Sequence, residues 1–489
     1  MTATSLATIA AALRRAGLLA GERGTLPAEV GAITDDSRIA TPGSLFIAVR
    51  GAERDGHAFL ALAAERGATA AIVDDPSRCE LPALVVTDTR RAAAVAAAAF
   101  YGEPARELTL AGVTGTNGKT TTVGMLRHLL QGTPGSTASI GTLGVLVGSD
   151  GAPLDGGSGL TTPGPVELQR VLRVLRDRGV RVVAIETSSH ALHQRRIEGL
   201  EFAAAVFTNL TRDHLDYHGT MEAYFAAKAL LLAQLTPDGV AVVNADDPAW
   251  AALPPAPRTV RFGIGADADV RASNVSCTTT GSRFRLALGG EAHDVALPLL
   301  GDFNVANALA AAGCAWALGV PADEISARLA SMPQVPGRLE IVHERPTVLR
   351  DYAHTPDALE RAIHAVRPFV VGRLIVVFGC GGDRDRGKRP VMGRIAAERA
   401  DLAIVTSDNP RTEDPERILD DIEAGMGSVF HERVEDRRDA IGRALELAAA
   451  DDIVLLAGKG HETYQVRGTT RLPFDERRIV AEIISQGVT

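Results

Sequence analysis

Seven short apolar runs, each stopped by Gly, Ser, Thr, Asn or Asp, constrain this chain more than any other feature. They are Leu108–Gly115, Val180–Ser188, Ala203–Asn209, Gly239–Asp246, Arg373–Gly382, Asp401–Pro410 and Asp451–Gly460. Helical patterns follow several of them, as in Gly118–Gln131 and Met221–Leu235. Strands that are apolar along their whole length are buried on both faces, so their alternation with helices predicts parallel sheets covered by helices, an α/β chain. Ligands of such sheets lie at the carboxyl ends of the strands. The polar residues that close each run are therefore the first candidates for chemistry.

A chain of 489 residues suggests about three domains. The Pro/Gly-bearing stretches Tyr101–Leu108 and Ser331–Glu340 each precede a new strand series and place the boundaries at 1–107, 108–336 and 337–489. The Gly-rich stretch Gly148–Gly159 reads as a loop inside the second domain. A hydrophobic content of 46% rules out a disordered chain. The net charge of −9 gives no chain-wide attraction to nucleic acid or to an anionic membrane. The longest strongly apolar stretch, Ala92–Phe100, is far short of the roughly 20 residues of a membrane span. At the N-terminus the first charges follow the apolar segment, the wrong order for a secretory signal, and the pattern predicts a short helix. Cys79, Cys277, Cys314 and Cys380 lie far apart without CxxC spacing, so neither a zinc site nor a disulfide framework is indicated. These features predict a soluble cytoplasmic protein.

The strongest local signal is the segment Gly115-Thr116-Asn117-Gly118-Lys119-Thr120-Thr121 between a strand and a helix. Glycines let backbone N–H groups turn towards phosphate, and the helix N-terminus adds partial positive charge. Lys119 would reach the terminal phosphates, and the Thr120 hydroxyl would ligate Mg²⁺. The match to GxxxxGK[ST] is imperfect, because its first glycine falls on Val113. The chain has only four lysines, Lys119, Lys228, Lys388 and Lys459, against 47 arginines, so each surviving lysine is a position to examine. Two further strand ends are polar: Glu186–Leu192 (ETSSHAL), and Thr208–Gly219 with Asp213, His214, Asp216 and His218. Glu186 suits Mg²⁺, which prefers oxygen, and His214 is the less usual ligand. Taken singly, each cluster reads equally as capping and loop hydrogen bonding. A phosphate-loop switch without ligase chemistry also accounts for the glycine–lysine–threonine turn, but gives no role to the motifs further along.

GTNGKTT, ETSSHAL, TNLTRDHLDYHG, NADD, GDFNVANALAA, GRLE, DYAHTPDAL and GKGHE occur in this order from Gly115 to Glu462. With DSR and DGHAF inside Thr34–Phe59, this pattern resembles the Mur ligases over nearly the whole chain. The resemblance implies three domains: a smaller α/β N-terminal domain, a central phosphate-loop domain with a mostly parallel sheet, and a Rossmann-like C-terminal domain. It implies an ATP-dependent acid–amino-acid ligase of peptidoglycan precursor synthesis. The side-chain carboxylate of D-glutamate in UDP-N-acetylmuramoyl-L-alanyl-D-glutamate is activated as an acyl phosphate and joined to meso-diaminopimelate. A lysine-adding relative is the nearest alternative; folylpolyglutamate synthetases share the ATP core but lack the Thr34–Phe59 pattern.

By the same resemblance ATP falls to Gly115, Thr116, Asn117, Gly118, Lys119, Thr120, Thr121, Asn304, Arg338 and Asp351. Lys119, Lys228, Glu186 and His214 are catalytic. Two Mg²⁺ ions are held by Thr120, Glu186, His214 and Lys228, the last as N6-carboxylysine formed with CO₂. A guanidinium, with pKa above about 12, cannot take up CO₂ in this way. The UDP-muramoyl dipeptide falls to Ser37, with Arg38 and His57 beside it, and to Thr161, Thr162, Ser188, Gln194 and Arg196. Diaminopimelate falls to Arg384, Asp408, Asn409, Pro410, Arg411, Gly458 and Glu462. The chemistry agrees, since meso-diaminopimelate carries a carboxylate where L-lysine has a hydrogen, and a guanidinium takes a carboxylate bidentately. A loop salt bridge from Arg411 to Glu413 or Asp414 is the alternative. Lys388 and Lys459 are read as loop residues at strand ends and receive no role. The implied enzyme is monomeric, with no nucleic-acid or membrane partner.

Overall fold

A computed structural model describes residues 3–51, 54–133, 135–157, 159–265, 268–278 and 280–487. The architecture is α/β as the apolar runs predict, and two compact units form. One comprises Met1–Ala272, Leu286–His293 and Ala306–Arg328; the other comprises Ser273–Arg285, Asp294–Val305 and Leu329–Thr489. Among the described residues no helix is long and apolar enough to cross a membrane.

The first unit contains a five-stranded sheet in the order Leu19–Arg23, Ala83–Val86, Ala68–Val73, Ser44–Ile47, Ala32–Thr34. The predicted N-terminal helix is Leu6–Arg15, and with Thr89–Phe100 it buries Ile9, Leu13, Ala93 and Ala96 against this sheet. A larger sheet runs Ala152–Leu154, Gly144–Val147, Thr137–Gly141, Val182–Glu186, Thr109–Thr114, Phe202–Phe207, Leu235–Asn244, Arg258–Gly263. From Thr137–Gly141 onwards its neighbours are parallel. Glu186 lies opposite Val113, and Phe207 opposite Thr114, so three adjacent strands end level. That register gathers the phosphate loop, the Glu186 segment and the Thr208–Gly219 segment at one sheet edge.

Two expectations need correction here. Part of the Gly-rich stretch is a strand, Ala152–Leu154, paired antiparallel with Val145–Val147. Gly148 and Gly151 take φ of +73° and +72° in the connecting turn, and Pro153 is tolerated because the strand lies at the sheet edge, where an N–H is not needed. The helix expected over 221–235 is α-helical only over Met221–Ala229 and tightens into a 3-10 turn over Leu230–Gln234. Leu235 already pairs with Phe202 as the first residue of the next strand, so the helix stops short of it.

The second unit carries a six-stranded sheet in the order Glu340–Glu344, Thr347–Asp351, Ile453–Ala457, Leu374–Phe378, Leu402–Val405, His431–Arg433. Only the first pairing is antiparallel. Helices Pro356–Val366, Lys388–Arg399 and Pro415–Glu423 contribute to one core, and Arg437–Leu447 and Glu476–Ser485 to another. Thr355, Asp414, Asp436 and Asp475 cap four of these helices through side-chain oxygens, satisfying N–H groups that helix starts leave unpaired. Lys388 is the first residue of a helix rather than a loop residue. Asp351, Gly458, Gly379 and Asp408 all lie at or just beyond strand carboxyl ends.

Candidate active site

The phosphate loop is held from behind by its neighbouring strand end. Asn209 clamps the Asn117 peptide unit, accepting from its N–H at 2.9 Å and donating to its carbonyl at 3.2 Å. The Thr208 hydroxyl donates to the same carbonyl at 2.6 Å, and Thr116 N donates to Asn209 O at 2.7 Å. A Cβ at Gly115 would fall 1.9 Å from Thr208 Oγ1, and one at Gly118 would fall 2.3 Å from Asn307 Oδ1, so both positions exclude side chains. Lys119 opens the following helix, where Thr120 and Thr121 are buried.

Lys119 Nζ curls back to Gly115 O at 3.0 Å and Thr116 O at 2.7 Å. Lys228 Nζ reaches that same Gly115 carbonyl at 2.6 Å from the helix Met221–Ala229, and sits 4.4 Å above the Tyr224 ring. Lys228 is 1% exposed. Burial, and then the Lys119 charge, push its pKa well below the ordinary lysine value and favour the neutral amine. Two lysine Nζ atoms thus meet at one carbonyl of the phosphate loop. A neutral buried amine is also the form that takes up CO₂, so Lys228 fits the carbamate expectation.

Glu186 is buried and accepts from Thr142 N at 2.8 Å and from Thr142 Oγ1 at 3.2 Å. Its own backbone carbonyl accepts from Thr162 Oγ1 at 2.7 Å. The Thr162 hydroxyl also lies 3.3 Å from Ser188 Oγ, and Arg196 Nη1 donates to Thr162 O at 3.0 Å. Arg196 further donates to Gln194 Oε1, and Thr142 Oγ1 lies 3.3 Å from Thr161 Oγ1. The five muramoyl-peptide candidates, Thr161, Thr162, Ser188, Gln194 and Arg196, thus form one bonded patch beside Glu186.

His214 stands edge-on to His190, with ring centres 4.7 Å apart. Desolvation, together with the Lys119 and Lys228 charges, lowers its pKa against the pull of Asp213. A neutral imidazole is the form that ligates a cation. Glu186 offers carboxylate oxygens and Thr120 a buried hydroxyl, donor types that a hard divalent cation takes, while among the described residues no three His, Cys, Asp or Glu side chains gather as a metal site.

Ser37 is buried at the start of a 3-10 turn, and Arg38 pairs with Asp36 at 2.7 Å on the exposed side. His57 has both ring nitrogens engaged, Nδ1 with Asp55 at 2.7 Å and Nε2 with Asp74 at 3.2 Å, and serves the local fold.

In the second unit Arg338 stacks over Tyr352 at 5.0 Å. Asp351 Oδ2 accepts from Leu339 N at 2.7 Å, and burial pushes its carboxyl up to about 6 against the Arg338 charge. Asn304, in the first turn of the helix Asp302–Ala317, donates to Leu300 O at 2.7 Å.

The amino-acid candidates Arg384, Asp408, Asn409, Pro410, Arg411, Gly458 and Glu462 converge at three neighbouring strand ends. Arg411 takes φ of +53°, and its Nη1 donates to Gly382 O at 2.7 Å. A Cβ at Gly381 would lie 2.8 Å from Arg411 Nη1 and 3.8 Å from Arg384 Cγ, so both arginines flank one glycine. The loop salt bridge alternative for Arg411 is absent: Glu413 is taken by Arg389 and Arg386, and Asp414 caps a helix. Among the described residues no carboxylate pairs with Arg411 or Arg384. Pro410 presses its carbonyl against Gly382, where a Cβ would fall 1.9 Å from it.

The same strand ends also carry the carboxylates Asp408 and Glu462. Asp408 Oδ2 is buried without a hydrogen-bond partner, and Asn409 Nδ2 donates to Glu462 Oε2 at 2.9 Å. A Cβ at Gly458, which has φ of +117°, would stand 2.7 Å from Asp408 Oδ2. Gly458→Ala should therefore cost about 1–3 kcal/mol of stability, read by chemical denaturation, because it combines a strained backbone with a displaced carboxylate.

Asn209, Thr142 and Tyr224 are site residues that the sequence did not single out. Asn209 ends an apolar run, which was the available signal; Thr142 had none, and neither had Tyr224, whose hydroxyl lies 3.3 Å from Thr116 Oγ1.

The model of the Mur ligase middle domain matches residues 113–315, that of the Mur ligase glutamate ligase domain matches 337–460, and that of the Mur ligase family catalytic domain matches 29–116. A relative from Geobacillus kaustophilus, named UDP-N-acetylmuramoyl-L-alanyl-D-glutamate–2,6-diaminopimelate ligase, is 45% identical over 94% of this chain and 95% of its own. A relative of the same name from Thermosynechococcus vestitus is 47% identical over 93% of each chain. A solved structure bearing that name has a TM-score of 0.66 at 33% identity, covering 95% of this chain and 97% of that one.

Proposed function

Because this chain belongs to the Mur ligase family, we propose that it joins meso-diaminopimelate to UDP-N-acetylmuramoyl-L-alanyl-D-glutamate, using ATP. The observation that carries the choice of amino acid is the pair of guanidinium groups, Arg411 and Arg384, which among the described residues have no carboxylate partner, at strand ends neighbouring the one that leads to Glu462. Such a site accepts a carboxylate on one side and an ammonium group on the other, which are the groups on the far centre of meso-diaminopimelate. L-Lysine has the ammonium group and lacks the carboxylate, so it would leave both arginines unpaired.

In the proposed reaction a D-glutamate carboxylate oxygen bonds to the γ-phosphorus of ATP, and the bond to the bridging oxygen breaks to release ADP. The amine of diaminopimelate then attacks the acyl carbon, loses a proton, and phosphate departs. Two anions must approach in the first step. Lys119 and the remaining N–H groups of the phosphate loop offset that repulsion, and the Asn209 clamp, which takes the N–H groups of Thr116 and Asn117, holds the loop backbone in place. Mg²⁺ would add charge neutralisation at the phosphate oxygens, and Thr120, Glu186, His214 and a carbamylated Lys228 are the residues that would hold it. Thr161, Thr162, Ser188, Gln194 and Arg196 receive the muramoyl dipeptide, and Ser37 the uridine end. Asn304, Arg338 and Asp351 receive ribose and adenine. In this proposal 1–107 carries the uridine end, 108–336 the phosphate loop and the muramoyl-peptide residues, and 337–489 the amino-acid residues together with Arg338 and Asp351.

Phosphate release measured with all substrates and with each omitted tests the reading. Release should require both the UDP-dipeptide and meso-diaminopimelate. Release with ATP alone would favour a nucleotide switch, and equal turnover with L-lysine would remove the diaminopimelate assignment.

A further inference from the structure

Lys459, like Lys388, receives no role from the sequence or from the proposed reaction. It follows the strand Ile453–Ala457 and is 0% exposed, so its charge has left water entirely. An ammonium group in such a place has to be paired and hydrogen-bonded. Its Nζ donates to Glu462 Oε2 at 3.0 Å and to Asn409 Oδ1 at 3.2 Å, with the ring centres of Tyr464 and Phe474 each 5.8 Å away. Asn409 Nδ2 donates to the same Glu462 Oε2 at 2.9 Å, which closes a ring of three side chains. Val466 N donates to Asn409 Oδ1 at 2.8 Å, so the amide orientation is fixed by two donors on its oxygen and a carboxylate on its nitrogen. Glu462 Oε1 accepts no bond among the described residues, and its side chain is 14% exposed.

We infer that Lys459 is a positioning residue for amino-acid selection: it pins one oxygen of Glu462 and the amide of Asn409, so that the other oxygen of Glu462 is presented to the ammonium group of the incoming amino acid. This rests on the proposed function, and it gives that site a physical reason for a lysine. The space holds a compact point charge between two acceptors and two rings. A planar guanidinium with five donors has neither the room nor the acceptors there, which accounts for lysine surviving in a chain that otherwise uses arginine.

Steady-state kinetics of the full chain with Mg²⁺–ATP and the UDP-dipeptide tests the inference in four forms: unaltered, Lys459→Met, Glu462→Gln, and the double variant. Lys459→Met should raise KM for meso-diaminopimelate at least about tenfold, the scale of a lost charge-assisted bond. KM for ATP and for the UDP-dipeptide should stay within about twofold. In the Glu462→Gln background the same change should add less than about twofold, because the group through which Lys459 acts is already altered. Lys459→Gln, which keeps an N–H donor, should recover part of the loss and serves if the methionine variant does not fold. Equal penalties in both backgrounds, or a parallel rise of all three KM values, would overturn the inference and leave Lys459 a core residue. If the unaltered enzyme adds a different amino acid and not meso-diaminopimelate, the functional reading itself fails.

Discussion

Lys228→Arg should leave a folded protein whose turnover falls by at least about 10²–10³-fold, the scale of losing one charge-stabilising group in an active site. Lys228 is 1% exposed and shares the Gly115 carbonyl with Lys119. Loss of water around the buried amine, and then repulsion from Lys119, favour the neutral form at Lys228. That amine can attack CO₂, form an N–C bond and release a proton. The side chain then carries a negative charge beside Lys119, so repulsion becomes attraction and a carboxylate is available for a cation. Arginine stays charged at any working pH and cannot follow this route. Lys228→Ala should be equally inactive but should regain part of its activity in added formate or acetate, which restore a carboxylate. Intact mass of the unaltered protein should show the addition of one CO₂. Arginine-variant turnover equal to that of the unaltered enzyme would sink the carbamate proposal.

Arg411→Ala should raise KM for meso-diaminopimelate by about 10–150-fold, the range expected when a hydrogen bond to a charged group is lost. Because Glu413 is already occupied by Arg389 and held low, at about 2, by that bond, Arg411 has no carboxylate of its own to release. The loss should therefore fall on the substrate. KM for ATP should barely change, since the phosphate loop lies at a different set of strand ends. Discrimination between meso-diaminopimelate and L-lysine should narrow in the same variant. A parallel rise in both KM values would show that Arg411 acts through the fold.

Much of the site was legible because strand ends are marked in the sequence. The apolar runs marked Gly115, Glu186, Thr208, Asp408 and Gly458 as strand-end residues, and parallel sheets collect such ends on one edge. Lysine scarcity then singled out Lys119 and Lys228, which meet at one carbonyl. The misreadings were local. The edge strand Ala152–Leu154 lay hidden in glycine-rich sequence because its pairing, not its composition, makes it a strand. Lys388 looked like a loop residue because a glycine and several charges precede it, yet it starts a helix.

By itself, then, the sequence determined the α/β alternation, the phosphate turn and the arginine-bearing strand end, all of which are patterns over a few consecutive residues. Only the tertiary structure decided how those parts grip one another. The Asn209 clamp joins residues 92 apart, the Thr142 bonds to Glu186 join residues 44 apart, and the Lys459–Asn409 contact joins residues 50 apart. Such bonds depend on strand register and side-chain rotamer, which no local pattern encodes. The same holds for Arg411: a nearby Glu413 in sequence made a salt bridge plausible, and the fold gave that carboxylate to Arg389 instead.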